Sequence, residues 1–341
     1  MRFSHLLITI VASVSMASSP SGSPSSLEVR QSVERGLSFL ERDGLAWMKK
    51  QQCASCHHIP LMIWGLGEGR KHGYPVNVEA INHATSWVLA DGNLAKVFPD
   101  LPLDKERSEP DYLGPLNMAL AIVGSGIGDS WAEKVQRTLL DRVVTQQMAD
   151  GSWNANKGGR PPVHGSIDVQ TSWFYLALAT STPKNGEGDP WEIQRDKASQ
   201  WLTRMGVDTT SHQSLTMRLM VLSKLGGASD QKKQLVAALL REQDAAGGWS
   251  QRPNMKSDAF ATGQALYVLM GNRDPGVAEA VRRATRFLVD TQQLDGSWQM
   301  TSRSAEPPGP GPARDLKPII YVGTAWATMG LAGWWPVPEA G

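Results

Sequence analysis

Three segments of the chain read alike: residues 147–153 (QMADGSW), 243–249 (QDAAGGW) and 292–298 (QQLDGSW). In each, Gln precedes Trp by six positions and Gly stands two before Trp. Trp153, Trp249 and Trp298 stand 96 and 49 residues apart. The unit is therefore about 48 residues, with one degenerate copy between Trp153 and Trp249. A unit of that size is one supersecondary element, which buries its apolar face only against its neighbours.

Each unit reads as two helices. Before the Gln runs an amphipathic segment, such as Ala284, Phe287 and Leu288 at helical spacing. After the Trp comes a Gly/Pro/polar loop, then a more apolar segment such as 168–178 (DVQTSWFYLAL). Segments apolar nearly all round belong in the middle of an assembly, and amphipathic ones outside. Outer helices are predicted over 32–50, 78–90, 131–148, 191–204, 232–243 and 278–292. Inner helices are predicted over 60–71, 112–123, 168–180, 212–225, 258–270 and 321–331. Six of each imply an all-α fold closed into a ring of twelve helices, a single domain over 27–341.

Composition agrees with a structural purpose for Trp. The chain has 13 Trp against 6 Phe and 5 Tyr, reversing the usual preference. Trp in the turn can lie against the end of the outer helix, and its Gln can bond orphan backbone groups there. The 341 residues are 41% hydrophobic and carry a formal net charge of +1. That excludes a disordered chain and gives no basic surface for nucleic acid.

The pattern at 283–298, Arg283-x-x-x-Phe287-Leu288…Gln292-x-x-x-Gly296-x-Trp298, resembles the repeat of squalene–hopene cyclases and protein prenyltransferase β subunits. The resemblance runs from 27 to about 335 and implies an α/α toroid of concentric helices. It implies activity less well. Class II cyclases protonate an alkene with an Asp-x-Asp-Asp motif, which this chain lacks, and resemble two toroids rather than one. Prenyltransferase β subunits spread zinc ligands across the barrel, whereas both cysteines here lie in one turn. An isoprenoid cyclase- or transferase-like enzyme stays as one alternative. The inner helices begin with Asp111, Asp168 and Asp258, which read as helix caps, with Asp168 and Asp258 also candidates for the mouth of a central cavity.

The amino-terminal 26 residues do not read as fold. Arg2, the apolar run 6–14 and small residues at Ser15 and Ala17 form a secretory signal over 1–17, followed by a Ser/Pro spacer over 18–26. No later segment is apolar and long enough to span a membrane. The expectation is an exported protein, periplasmic or extracellular.

The sharpest chemical feature is residues 53–57, Cys53-Ala-Ser-Cys56-His57, the chain's two cysteines among them. Its His57 falls six residues after Gln51, where other units carry Trp. Cys-x-x-Cys-His is the attachment sequence of c-type haem. Cys53 and Cys56 would take the two vinyl groups and His57 the iron. The Ser before Cys56 and the Pro three after His57 resemble many cytochrome c sites. Three other readings stand beside haem c: a Cys53–Cys56 disulfide, a zinc site with His57 and His58, and chance. The sixth iron ligand is open among His72, His83, Met48, Met62, Met118, His164 and His212, while His58 should point away from His57 as consecutive helical residues do. The functional expectation is electron transfer or oxidoreduction with a redox partner, and an apolar or isoprenoid ligand in the toroid. The alternative is a haem-free toroid binding lipid or protein.

Overall fold

A computed structural model of the chain describes residues 22–51, 57–90, 93, 137, 140–141, 144–153, 166–180, 188–208, 211–225, 229–270, 272, 274–303 and 315–334. Ten helices lie among them: α1 (Ser26–Gln51), α2 (His58–Lys71), α3 (Val78–Leu89), α4 (Ile167–Thr180), α5 (Glu192–Met205), α6 (His212–Leu225), α7 (Ser229–Arg241), α8 (Ala259–Leu269), α9 (Pro275–Thr291) and α10 (Lys317–Ala332). Each matches a helix expected from periodicity to within four residues at either end, except that α1 begins six residues early. The expected inner helix over 112–123 and most of the outer helix over 131–148 lie outside the described residues.

Local sequence sets the helix starts. Ser25 and Glu28 form a capping box: the Glu28 N–H donates to Ser25 Oγ at 3.2 Å, and the Ser25 N–H to Glu28 Oε2 at 2.7 Å. This starts α1 six residues earlier than the expected start at residue 32. Asn77 caps α3, and Asp274 caps α9 just ahead of Pro275, whose missing N–H costs nothing there.

The helices form two layers. In α2, α4, α8 and α10 the buried residues run almost unbroken, as over Val169–Leu178 and Tyr321–Ala332. The outer α9 buries one stripe instead, formed by Val277, Ala280, Val281, Ala284 and Leu288. Inner helices touch one another in the order α4, α6, α8, α10, α2, while α1 packs on α9, α2 and α10. The first repeat thus meets the last, and the all-α chain is an α/α toroid. α8 and α10 approach closely because Gly263 and Gly330 lie at their crossing; a Cβ on Gly263 would strike the backbone of Trp326 and Ala327.

The repeated turn makes one set of bonds three times. The backbone N–H groups of Trp153, Trp249 and Trp298 donate to Thr171, Thr262 and Thr324 Oγ1 on the following inner helix, at 3.2, 3.0 and 3.2 Å. The Trp249 and Trp298 indoles donate to the Leu239 and Leu288 carbonyls, four residues before the repeat Gln, at 2.7 and 2.8 Å. The Gln reaches beyond its own helix end. Gln147 Nε2 donates to Gly151 O and to Gln194 O of α5; Gln243 Nε2 to Gly247 O and Ala280 O of α9; Gln292 Nε2 to Gly296 O and Ser32 O of α1. Each Gln therefore staples one outer helix to the next.

The degenerate copy solves the same problem differently. α5 ends at Gly206 with no Gln or Trp turn. Arg218 of α6, 3% exposed, donates from Nη2 to the carbonyls of Leu202 and Gly206. Leu202 stands four residues before Gly206, as Leu239 stands before Gln243. A guanidinium thus does the work of the indole, serving the orphan carbonyls of a helix end.

Candidate functional site

His57 is the N-cap residue of α2, with its carbonyl accepting from the Leu61 N–H at 3.2 Å. Its ring is half-buried, and its Nδ1 lies 2.5 Å from Nδ1 of His58. His58 is stacked on Trp47 from α1, with centroids 4.0 Å apart and planes 5° apart. On its other side lies Tyr321 from α10, again at 4.0 Å. Tyr321 is held by its hydroxyl, which donates to the Leu40 carbonyl at 2.7 Å. The two imidazoles therefore converge, contrary to the expected divergence. The physical reason is that His57 is a cap and has left helical geometry, with φ −151° and ψ −51°, so the 100° step between helical neighbours does not apply.

The electrostatics fix the charge of His58. Burial, with His57 alongside, pushes the His58 pKa down to about 2, so His58 is neutral at physiological pH. One hydrogen then lies between the two Nδ1 atoms. When it sits on His57, the Nε2 of His57 carries the lone pair. A metal-ligating histidine needs such a partner on its second nitrogen to fix tautomer and orientation. In this respect the residues present fit an iron-ligating His57. Cys53 and Cys56 lie outside the described residues.

The proposed sixth ligands are scattered. His72 ends α2, at the far end from His57, 3.8 Å from Glu68. His83 is exposed on α3, and Met48 and Met62 are packed in the core. His212 begins α6 and bonds the Ala261 carbonyl. Met118 and His164 lie outside the described residues.

The two acids have local partners. Asp258 caps α8, accepting from the Ala261 N–H at 2.9 Å and from Gln251 Nε2 at 2.6 Å, and burial raises its pKa. Asp168 lies in the first turn of α4, accepts from Ser166 Oγ, and offsets the burial of the Arg218 guanidinium. Asp111 lies outside the described residues.

The toroid centre is aromatic. Trp64, Trp173, Tyr267 and Trp326 come from four inner helices, and their rings meet at centroid separations of 5.5–6.3 Å, as in Trp64 on Trp326 and Trp64 on Tyr267. Sequence reading did not single out this group, nor Trp47 and Tyr321. Trp47 carried a signal: it stands four before Gln51, where the later repeats have Val143, Leu239 and Leu288. Tyr321 carried none, because a ring closure of this span is not visible in a local pattern. Among the described residues no helix is long and apolar enough to cross a membrane.

No family model matches the chain, and no curated protein matches it. Solved structures do match. The type II terpene cyclase MstE from Scytonema is 15% identical with a TM-score of 0.58, over 90% of this chain and 98% of that one. A possible member of the GH105 family from Klebsiella pneumoniae is 12% identical with a TM-score of 0.56, over 97% and 98%. A protein from Actinoplanes is 16% identical with a TM-score of 0.58, over 89% and 99%. At these identities the likeness is one of fold, the α/α toroid. It also amends one inference from length. A type II terpene cyclase chain is covered almost in full, so being one toroid long does not set this chain apart from such enzymes.

Proposed function

We propose that this toroid carries a c-type haem on Cys53 and Cys56 with His57 as the iron ligand, and serves in electron transfer or oxidoreduction outside the cytoplasm. The observation that carries the reading is the His57–His58 pair at the turn holding the Cys-x-x-Cys-His motif. His58, locked between Trp47 and Tyr321, sets the orientation of His57 and takes its Nδ1 hydrogen. Bound haem supplies one-electron redox chemistry, tuned by its axial ligand and surroundings. The His57 ring also meets the Trp47 ring, with centroids 5.0 Å apart. The signal-like segment 1–17 supports export to the periplasm or beyond, where such haems are attached. A redox partner follows from the same reading.

The test is the reduced visible spectrum of the full chain expressed with a cytochrome c maturation system. Wild type is expected to show a haem c spectrum, and His57→Ala to lose or change its axial ligation. A haem-free chain with an intact Cys53–Cys56 disulfide would instead support the lipid- or protein-binding alternative.

A second reading, an isoprenoid-type apolar ligand in the toroid, is favoured by the aromatic centre. MstE, which shares the fold, is described in complex with geranylgeranyl dihydroxybenzoate as substrate. In this chain the four rings touch one another, so such a ligand would lie beside them. Quenching of Trp fluorescence by a geranylgeranyl compound, lost in Trp326→Ala, tests that reading.

A further inference from the structure

A pocket of about 220 Å³ is lined by His212, Glu242, Ser250, Arg252 and Pro253. It lies where the start of α6 meets the end of α7 and the turn after Trp249. His212 is 2% exposed. Its Nε2 lies 2.8 Å from the Ala261 carbonyl. A carbonyl only accepts, so Nε2 carries the hydrogen and Nδ1 of the neutral ring is an acceptor. That buried Nδ1 has no hydrogen-bond partner among the described residues. Glu242 Oε2, a second acceptor, stands 3.6 Å from it.

The separation discriminates between bridging species. At 3.6 Å no direct hydrogen bond is made. A water or ammonium bonded to both acceptors at roughly 2.8 Å with tetrahedral angles would hold them about 4.5 Å apart. Two ligands at about 2.1 Å from a tetrahedral zinc stand roughly 3.4 Å apart. The observed spacing is nearer the metal's than the water's, and it is also the ion-pair distance of an imidazolium on Glu242, which Zn²⁺ binding distinguishes. An imidazole nitrogen with a carboxylate oxygen is a donor set that zinc-type ions accept, and the carbonyl on the opposite ring nitrogen is the outer partner such a ligand uses.

We infer that His212 and Glu242 are the protein ligands of an open zinc-type divalent-metal site. Among the described residues no third His, Cys, Asp or Glu joins them, so the other positions face the pocket and take water or an incoming oxygen donor. Arg252 on the pocket wall suits an anionic donor. The inference is independent of haem attachment, because neither residue belongs to the Cys-x-x-Cys-His turn.

The test is calorimetric titration of the chelator-treated full chain with Zn²⁺, in wild type and in a Cys53→Ser/Cys56→Ser variant that removes thiolate binding. One equivalent is expected to bind to both. Adding Glu242→Gln, a shape-conserving change at a partly exposed side chain, should weaken that equivalent at least about tenfold. His212→Ala should do the same, with circular dichroism reporting the fold of each variant. Zn²⁺ binding unchanged by Glu242→Gln in a folded chain would overturn the assignment, as would a folded Cys-free chain that binds no Zn²⁺.

Discussion

Gln292 and Ser32, 260 residues apart in the chain, exchange two hydrogen bonds: Ser32 Oγ donates to Gln292 Oε1 at 2.8 Å, and Gln292 Nε2 donates to the Ser32 carbonyl at 2.9 Å. Arg35 adds a third contact, donating to the same Oε1 at 2.6 Å. Gln147 and Gln243 join successive outer helices in the same way, so the last repeat treats α1 as its next neighbour. Ring closure is therefore the repeat contact applied once more. Nearby, Arg286 of α9 pairs with Glu28 of α1 at 3.0 Å.

Gln292→Leu should destabilise the fold by about 2 kcal/mol, because partly buried donors and acceptors on α1 lose their partner. Urea denaturation checks it, with Gln146→Leu, a half-buried neighbour of a repeat Gln that bonds only locally to Thr145 Oγ1, expected to change less. Equal midpoints for the two variants would remove the closing role.

Gly296 has φ +92°, and a Cβ there would meet the Arg35 carbonyl oxygen. Gly296→Ala should cost more than about 1 kcal/mol, from backbone strain and the clash with α1 together. Gly73 also has positive φ but nothing within 4 Å of a Cβ. Gly73→Ala should therefore show the strain alone, and a smaller drop in Tm than Gly296→Ala.

Arg218→Met keeps most of the side-chain volume and leaves the Leu202 and Gly206 carbonyls unserved. A loss of about 2 kcal/mol is expected, read from thermal unfolding. Hydrogen exchange should speed up first at the end of α5. A variant as stable as wild type would show that this turn does not need its guanidinium.

These relationships mark where sequence reading ends. The Gln, Gly and Trp of each turn were legible because they recur at fixed spacing, and the inner and outer helices because burial all round differs from burial on one stripe. Arg218 was not legible, since it replaces an indole from a different helix and at a different spacing. The Thr171, Thr262 and Thr324 acceptors sit 18, 13 and 26 residues after their Trp, so loops of unequal length hide a constant contact. His57 and His58 were legible as chemistry and misjudged as geometry, because a helix cap does not follow the helical step. Trp47 and Tyr321, which hold His58, meet only because the ring closes.

Asp258 gives a pH signature. Burial raises its folded-state pKa above the ordinary value of 3.8. The unfolded chain then ionises this group more readily than the folded one. Its contribution is fully present below the unfolded pKa and declines as pH rises through the folded pKa. Asp258→Asn keeps a capping oxygen and removes that ionisation. Relative to wild type, the Asn variant should gain stability as pH rises from 4 toward 7, measured by denaturation at each pH. Asp258→Ala loses the cap and should cost about 1 kcal/mol at low pH. A wild type that outgains the Asn variant with rising pH would contradict the raised pKa.

The central claim is that the first repeat has exchanged a structural turn for a cofactor-bearing one. A haem-stained denaturing gel of the full chain, expressed with a cytochrome c maturation system, addresses it most directly. The account predicts a stained band that survives boiling in detergent and disappears in Cys53→Ala/Cys56→Ala. An unstained band from folded wild-type protein made under those conditions would contradict it.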